Sequence, residues 1–146
     1  MKILFWLLIV FLTIVPAFGQ TNDRKPQQDI GPIRSSAAYS EILLRRTELQ
    51  ADLEAYLQNY TEASPKIQDI RAEINALNKE TDRIFAIRAS ETEKLTLGLG
   101  RLIVRKAELE VDLARLLRTY SKDHPEVKRA QRRVEIFDAA IKEVLN

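Results

Sequence analysis

The 146 residues carry 23 Lys and Arg against 21 Asp and Glu, a net charge of +2 that by itself points to no nucleic-acid partner. Charged residues at 30% and hydrophobic ones at 45% exclude both compositional disorder and a chain built of membrane spans. Cysteine is absent, which removes disulfides, thiolate metal sites, cysteine nucleophiles and lipoprotein acylation together.

The chain opens on MKILFWLLIVFLTIVPAFGQ, in which Lys2 precedes an apolar run from Ile3 to Val15, followed by Pro16 and small residues. Ala17 and Gly19 stand at the −3 and −1 positions of a signal-peptidase site. The expectation is a signal peptide over residues 1–19, cleaved after Gly19, and a mature protein that is periplasmic or secreted. The rival is a retained anchor, but the run is shorter than the roughly 20 residues that span hydrocarbon. No stable transmembrane span is therefore expected after processing. Residues 20–36 hold two Pro, a Gly and many polar groups, and read as a flexible linker.

From residue 37 to 146 the chain reads as one helical domain, with Pro65, Pro125, Gly98 and Gly100 as its interruptions. No period-2 alternation suggests a strand. Apolar residues recur at heptad-like spacing in four segments. They are Tyr39, Ile42, Leu49, Leu53, Tyr56 and Tyr60 in the first, widened by Leu43 and Leu57; Ile67, Ile70, Ile74, Leu77 and Ile84 in the second; Leu95, Leu99, Leu102, Leu109, Leu113, Leu116 and Tyr120 in the third; and Val127, Ala130, Val134, Phe137, Ile141 and Val144 in the last. Such stripes bury one side of a helix against another. The association stripe is placed on Leu49, Leu53, Ile67, Ile74, Leu102, Leu109, Leu113, Leu116, Val134, Phe137 and Ile141. Arg46, Thr81, Arg88 and Lys106 fall on the same stripes and weaken the seam locally.

Between the first two stripes stands NYTEASPKI, and between the last two TYSKDHPEV, 60 positions later. Proline fixes φ and lacks an N–H, so it suits the first position of a helix and breaks an interior. Ser64 is predicted to cap a helix starting at Pro65, and His124 or Asp123 one starting at Pro125. Tyr60, Ser64, Pro65, Tyr120, His124 and Pro125 then mark two helix–turn–helix tips. Aligning 42–77 with 102–137 matches Arg45, Glu48, Leu49, Asp52, Leu53, Leu57, Tyr60 and Pro65 with identical residues. Sixty is not a multiple of seven, so the register follows the turn and not the seam alone, as in an internal repeat. The predicted fold is all-α: antiparallel helical hairpins forming a coiled coil, repeat 1 over about 37–94 and repeat 2 over about 95–146. At their junction a capping-box pattern, Ser90 to Glu93, and two glycines offer a break. The heptad phase shared by 67, 74, 95, 102, 109 and 116 favours instead one long, kinked helix over 65–120.

Residues 37–94 carry 8 basic and 11 acidic side chains, residues 95–146 carry 11 and 8, so the halves have nets of −3 and +3. This opposition favours one hairpin lying on the other, within a chain or between chains. The sharpest basic cluster is Lys128, Arg129, Arg132 and Arg133, a patch for an anionic glycan, a phosphate or an acidic helix. Its blander reading is a solvated face paired with the acidic half. One His and no Cys give no metal set, and Asp123, His124 and Glu126 read as a capping turn. No phosphate loop or nucleophile elbow is present. No catalytic residue, cofactor or metal is expected, and the chain is not read as an enzyme.

Leu113, Leu116, Leu117, Tyr120, His124, Pro125 and Val127 form a Leu-rich helix, then Tyr, His-Pro and a β-branched residue. In this pattern the chain resembles the periplasmic coiled-coil region of bacterial polysaccharide chain-length determinants and exopolysaccharide-transport proteins, most closely over 113–144. The first copy keeps Tyr60, Pro65 and Ile67, with Ser64 in place of the His. The resemblance implies a self-associating helical hairpin with a Tyr/His-Pro tip. The paired membrane helices and α/β base domain of that family have no counterpart in these 146 residues. The leading functional expectation is an exported coiled-coil structural or interaction module, accessory to envelope polysaccharide export or assembly. Its partner would be a second copy or an envelope protein, or else a polysaccharide. The alternatives are a periplasmic holdase-type chaperone and an anionic glycan binder.

Overall fold

The computed structural model describes residues 30–146, so the expected signal peptide and all but the end of the expected linker lie outside the described residues. Five α-helices and one 3₁₀ helix make up this part, and no strand occurs among the described residues. The helices are α1 (Gly31–Arg34), α2 (Ala37–Leu57), α3 (Pro65–Phe85), α4 (Leu97–Thr119) and α5 (Pro125–Leu145), with the 3₁₀ helix at Ala89–Lys94. The fold is all-α.

Local chemistry sets these boundaries. Ser36 is extended, and its hydroxyl accepts from the Tyr39 N–H at 3.2 Å, so α2 starts there. Pro65 and Pro125 take the first helical positions of α3 and α5. His124 caps α5, its Nδ1 accepting the Glu126 N–H at 3.2 Å. Ser64 holds the N-cap position of α3 in extended backbone, but contrary to expectation its side chain makes no cap bond.

Two expectations need correction. Residues 65–120 are not one helix. The chain leaves α-helical geometry after Phe85, passes through an extended Arg88 and the 3₁₀ turn, and restarts at Thr96, whose hydroxyl accepts from Leu99 N–H at 3.2 Å. Arg88 at ψ 144°, Leu95 at ψ 56° and Thr96 at ψ 164° all leave helical geometry, and heptad phase on either side does not report it. Ser90 and Glu93 lie inside the 3₁₀ turn, so the capping function belongs to Thr96. The end of the expected linker is also structured: α1 forms at 31–34, and Ile33 is fully buried in the core.

Directions follow from contacts. Tyr39 meets Phe85 and Tyr56 meets Lys66, so α2 and α3 run antiparallel. Glu80 meets Lys106 and Asp69 meets Arg115 and Arg118, so α3 and α4 are antiparallel as well. The Ala38 N–H donates to the Leu95 carbonyl at 3.1 Å and Arg45 lies 3.9 Å from Glu108, so α2 and α4 run parallel. Lys94 Nζ donates to the carbonyls of Leu145 and Asn146, returning the end of α5 to the start of α4. Helix α4 is therefore central, touching α2, α3 and α5. Its core partners include Ile42, Leu77 and Ile84, none with any exposed surface.

Candidate functional site

Helix α3 carries three buried carboxylates, and the chain answers each with a cation. Asp69 receives hydrogen bonds from Arg115 Nε at 2.7 Å and Arg118 Nη2 at 2.5 Å. Glu73 receives Arg45 Nε at 2.7 Å. Glu80 receives Lys106 Nζ at 2.6 Å, and that ammonium also lies 3.4 Å from Asp138 on α5. Burial pushes the Asp69 carboxyl up, but the two guanidinium bonds outweigh it and hold the group below the usual carboxylate range. Burial likewise lowers the Lys106 ammonium, and the bond to Glu80 with the facing carboxylates raises it above its ordinary value. A cavity of about 250 Å³ opens beside this ladder, lined by both signs of charge, Arg45, Asp69, Glu73, Arg105 and Asp112 among them. Its carboxylates and guanidinium groups largely neutralise one another. Sequence reading missed Asp69, Glu73, Glu80, Arg115 and Arg118, because a charge inside a helical run is normally solvated. The signal was Lys106, a cation on an apolar stripe.

The two tips place their aromatic residues differently. Tyr120 stacks on His124, with centroids 4.2 Å apart and planes 20° off parallel, while both lead into Pro125. Tyr60 packs instead on Tyr56 at 5.8 Å, and Ser64 offers no ring to stack on. Tyr60 and Tyr120 are both exposed. Of the basic cluster, Lys128 pairs with Asp123 at 3.2 Å, Arg129 with Glu126, and Arg132 with Glu135 at 3.2 Å. These bonds are local to α5 and its preceding turn, so the cluster is not paired with the acidic half inside the chain. Arg133 is exposed. Among the described residues no group of three His, Cys, Asp or Glu is placed to hold a metal ion.

The predicted stripe divides in two. Leu49, Ile67, Leu109 and Ile141 are consumed in the chain's own core. Leu53, Ile74, Leu102, Leu113, Leu116, Val134 and Phe137 are only half-buried. Three of the stripe's neighbours were missed altogether: Ile103, Ala107 and Val111 are buried on a second face of α4. At the opposite side of α4, towards α5, lies an open apolar groove of about 490 Å³. It is lined by Thr96, Gly98, Leu102, Phe137 and Val144, with Arg101 at its rim.

No family model, curated protein or solved structure matches this chain. The surface must be read from its own chemistry. Among the described residues no helix is long and apolar enough to cross a membrane. What the hairpin of α4 and α5 offers is an uncovered apolar groove, a basic face and an aromatic tip, with Leu43 and Leu44 exposed on the far side of α2.

Proposed function

We propose that this chain is an exported helical interaction module that works by helix–helix association, as an accessory to cell-envelope polysaccharide export or assembly. The observation that carries the association is the apolar groove between α4 and α5, where Leu102, Phe137 and Val144 remain partly exposed. Aliphatic surface of this kind gains roughly 25 cal/mol for every Å² that a partner removes from water. The Tyr120–His124 stack ahead of Pro125 supports the narrower envelope assignment, because it gives the Tyr/His-Pro tip a defined shape. Export rests on the sequence of residues 1–19.

The reading is tested by crosslinking the tagged full-length chain in cells and identifying both the captured proteins and its own N-terminus by mass spectrometry. Capture of polysaccharide-export components, with an N-terminus at Gln20, is expected. A broad set of unfolded outer-membrane proteins would replace this reading with a holdase chaperone. An intact Met1 would remove cleavage at Gly19. An anionic glycan ligand has one observation in its favour, the exposed Arg133 beside Lys128, Arg129 and Arg132, and predicts salt-sensitive retention on an anionic polysaccharide.

A further inference from the structure

Four positions that are sealed in the first hairpin are open in the second. Ala38, Ile42, Leu77 and Ile84 have no exposed surface, because α4 lies across the groove between α2 and α3. Their counterparts 60 residues later are Gly98, Leu102, Phe137 and Val144, which line the open groove. The chain thus builds the same seat twice and fills it once. The face that α4 inserts into the filled seat holds Gly100, Ile103, Ala107 and Val111, all buried. The counterparts on α2 are Ser40, Leu43, Thr47 and Ala51, all exposed and on the side of α2 away from its own core.

We propose that the groove between α4 and α5 seats the outer face of α2 from a second copy of this chain, head to tail. It repeats between chains the contact that α4 makes with the first hairpin. This rests on the association reading above and adds the partner, the groove and the polarity.

Two further observations fit this occupant. In the filled seat a Cβ at Gly100 would lie 2.9 Å from Ala38 Cα and 3.0 Å from its carbonyl oxygen, so that crossing tolerates only one Cβ. At the second seat the roles are exchanged. The entering residue is Ser40, which has a Cβ, and the receiving residue is Gly98, which has none and faces open space apart from Thr96 Oγ1 at 3.7 Å. Charge is complementary at both seats. Within the chain Arg101 of α4 lies 4.0 Å from Glu41 of α2, and Glu108 of α4 lies 3.9 Å from Arg45 of α2. Shifted by the repeat, Glu41 of the entering α2 would face Arg101 of the seat, and its Glu48 would face Arg105. The nets of +3 and −3 on the two hairpins favour the same head-to-tail order. Such a heterologous contact uses different surfaces on the two copies and extends into rings or filaments.

Sedimentation velocity of the full chain over a wide concentration range tests this. Wild type is expected to form oligomers that lengthen with concentration. Leu43→Arg removes the entering face and Phe137→Glu removes the seat, so each alone gives a monomer. An equimolar mixture gives a dimer, since each copy retains the half that the other lacks. Gly98→Ala guards against a fold defect in Phe137→Glu: it keeps full helicity by circular dichroism and weakens association at least tenfold. A monomeric wild type, a mixture that stays monomeric, or Gly98→Ala associating as wild type overturns the proposal. If envelope proteins are still captured in cells in any of these cases, the association module stands and only its self-docking falls. Loss of both capture and oligomers removes the two together.

Discussion

At the scale of single residues, the two glycines of α4 have opposite roles within one chain. Glycine in a helix costs about 1 kcal/mol against alanine, so each replacement starts with a gain. At Gly100 the gain is overridden, because the new methyl group meets Ala38 backbone at 2.9 Å and the two helices must separate. Gly100→Ala is expected to lower stability by about 1–2 kcal/mol net, while Gly98→Ala leaves the monomer as stable or slightly more so. Urea unfolding of both variants checks this.

Lys106 and Glu80 are both buried, with side chains 8% and 5% exposed. Removing Lys106 leaves Glu80 out of water with only the longer contact to Arg83 at 3.5 Å. Lys106→Met is expected to cost about 3 kcal/mol, and adding Glu80→Leu to recover most of that loss. A double variant no more stable than Lys106→Met would show that the pair contributes little beyond its neighbours.

Asp69 makes a pH prediction. Its folded carboxyl is held below the ordinary value, so the stabilisation is complete above the unfolded value of about 3.9 and is lost as pH falls through the folded one. Asp138, lowered by the Lys142 bond and by Lys106, acts in the same direction. Stability should therefore fall on acidification below about pH 4, and Asp69→Asn should show a shallower fall. Parallel acid titrations of the unfolding midpoint would reveal the difference.

At the scale of elements, the caps decide where helices begin. The hydroxyl of Thr96 satisfies an otherwise unpaired N–H of α4, and Thr96→Ala should cost about 1 kcal/mol. Ser64→Ala should change stability by no more than a few tenths of a kcal/mol, because Pro65 has no N–H and the hydroxyl makes no cap bond. Thr96 makes a cap bond and Ser64 does not, so equal losses in urea unfolding would show that the cap bond is not what matters. Helix α4 also explains why a one-stripe description fell short. A stripe captures a helix with one partner, whereas α4 has three and buries Ile103 and Ala107 on one flank and Leu109 on another.

At the scale of the molecule, the two hairpins share a pattern but not an environment. Leu77 has no exposed surface, while its counterpart Phe137 is only half-buried. Leu77→Ala should cost about 3 kcal/mol. Phe137→Ala should cost clearly less, and should weaken oligomers more than it weakens the fold. Calorimetry set beside sedimentation separates the two effects.

The sequence by itself determined the helical class, the two Pro-started helices, their Tyr-containing tips and the 60-residue offset. Each of these is local, fixed by backbone restriction at proline or by apolar spacing along one helix. The apolar spacing of Leu102 and Phe137 was legible for the same reason, but not their half-burial. Only the tertiary structure decided the break after Phe85, the burial of Ile33, the carboxylate ladder of α3 and which seat is filled. Those depend on helix faces meeting across long stretches of chain. A carboxylate such as Asp69 looks solvated until Arg115 and Arg118 arrive from α4. Leu77 and Phe137 stand 60 residues apart at matching points of the apolar pattern, yet α4 covers the first and leaves the second half-buried.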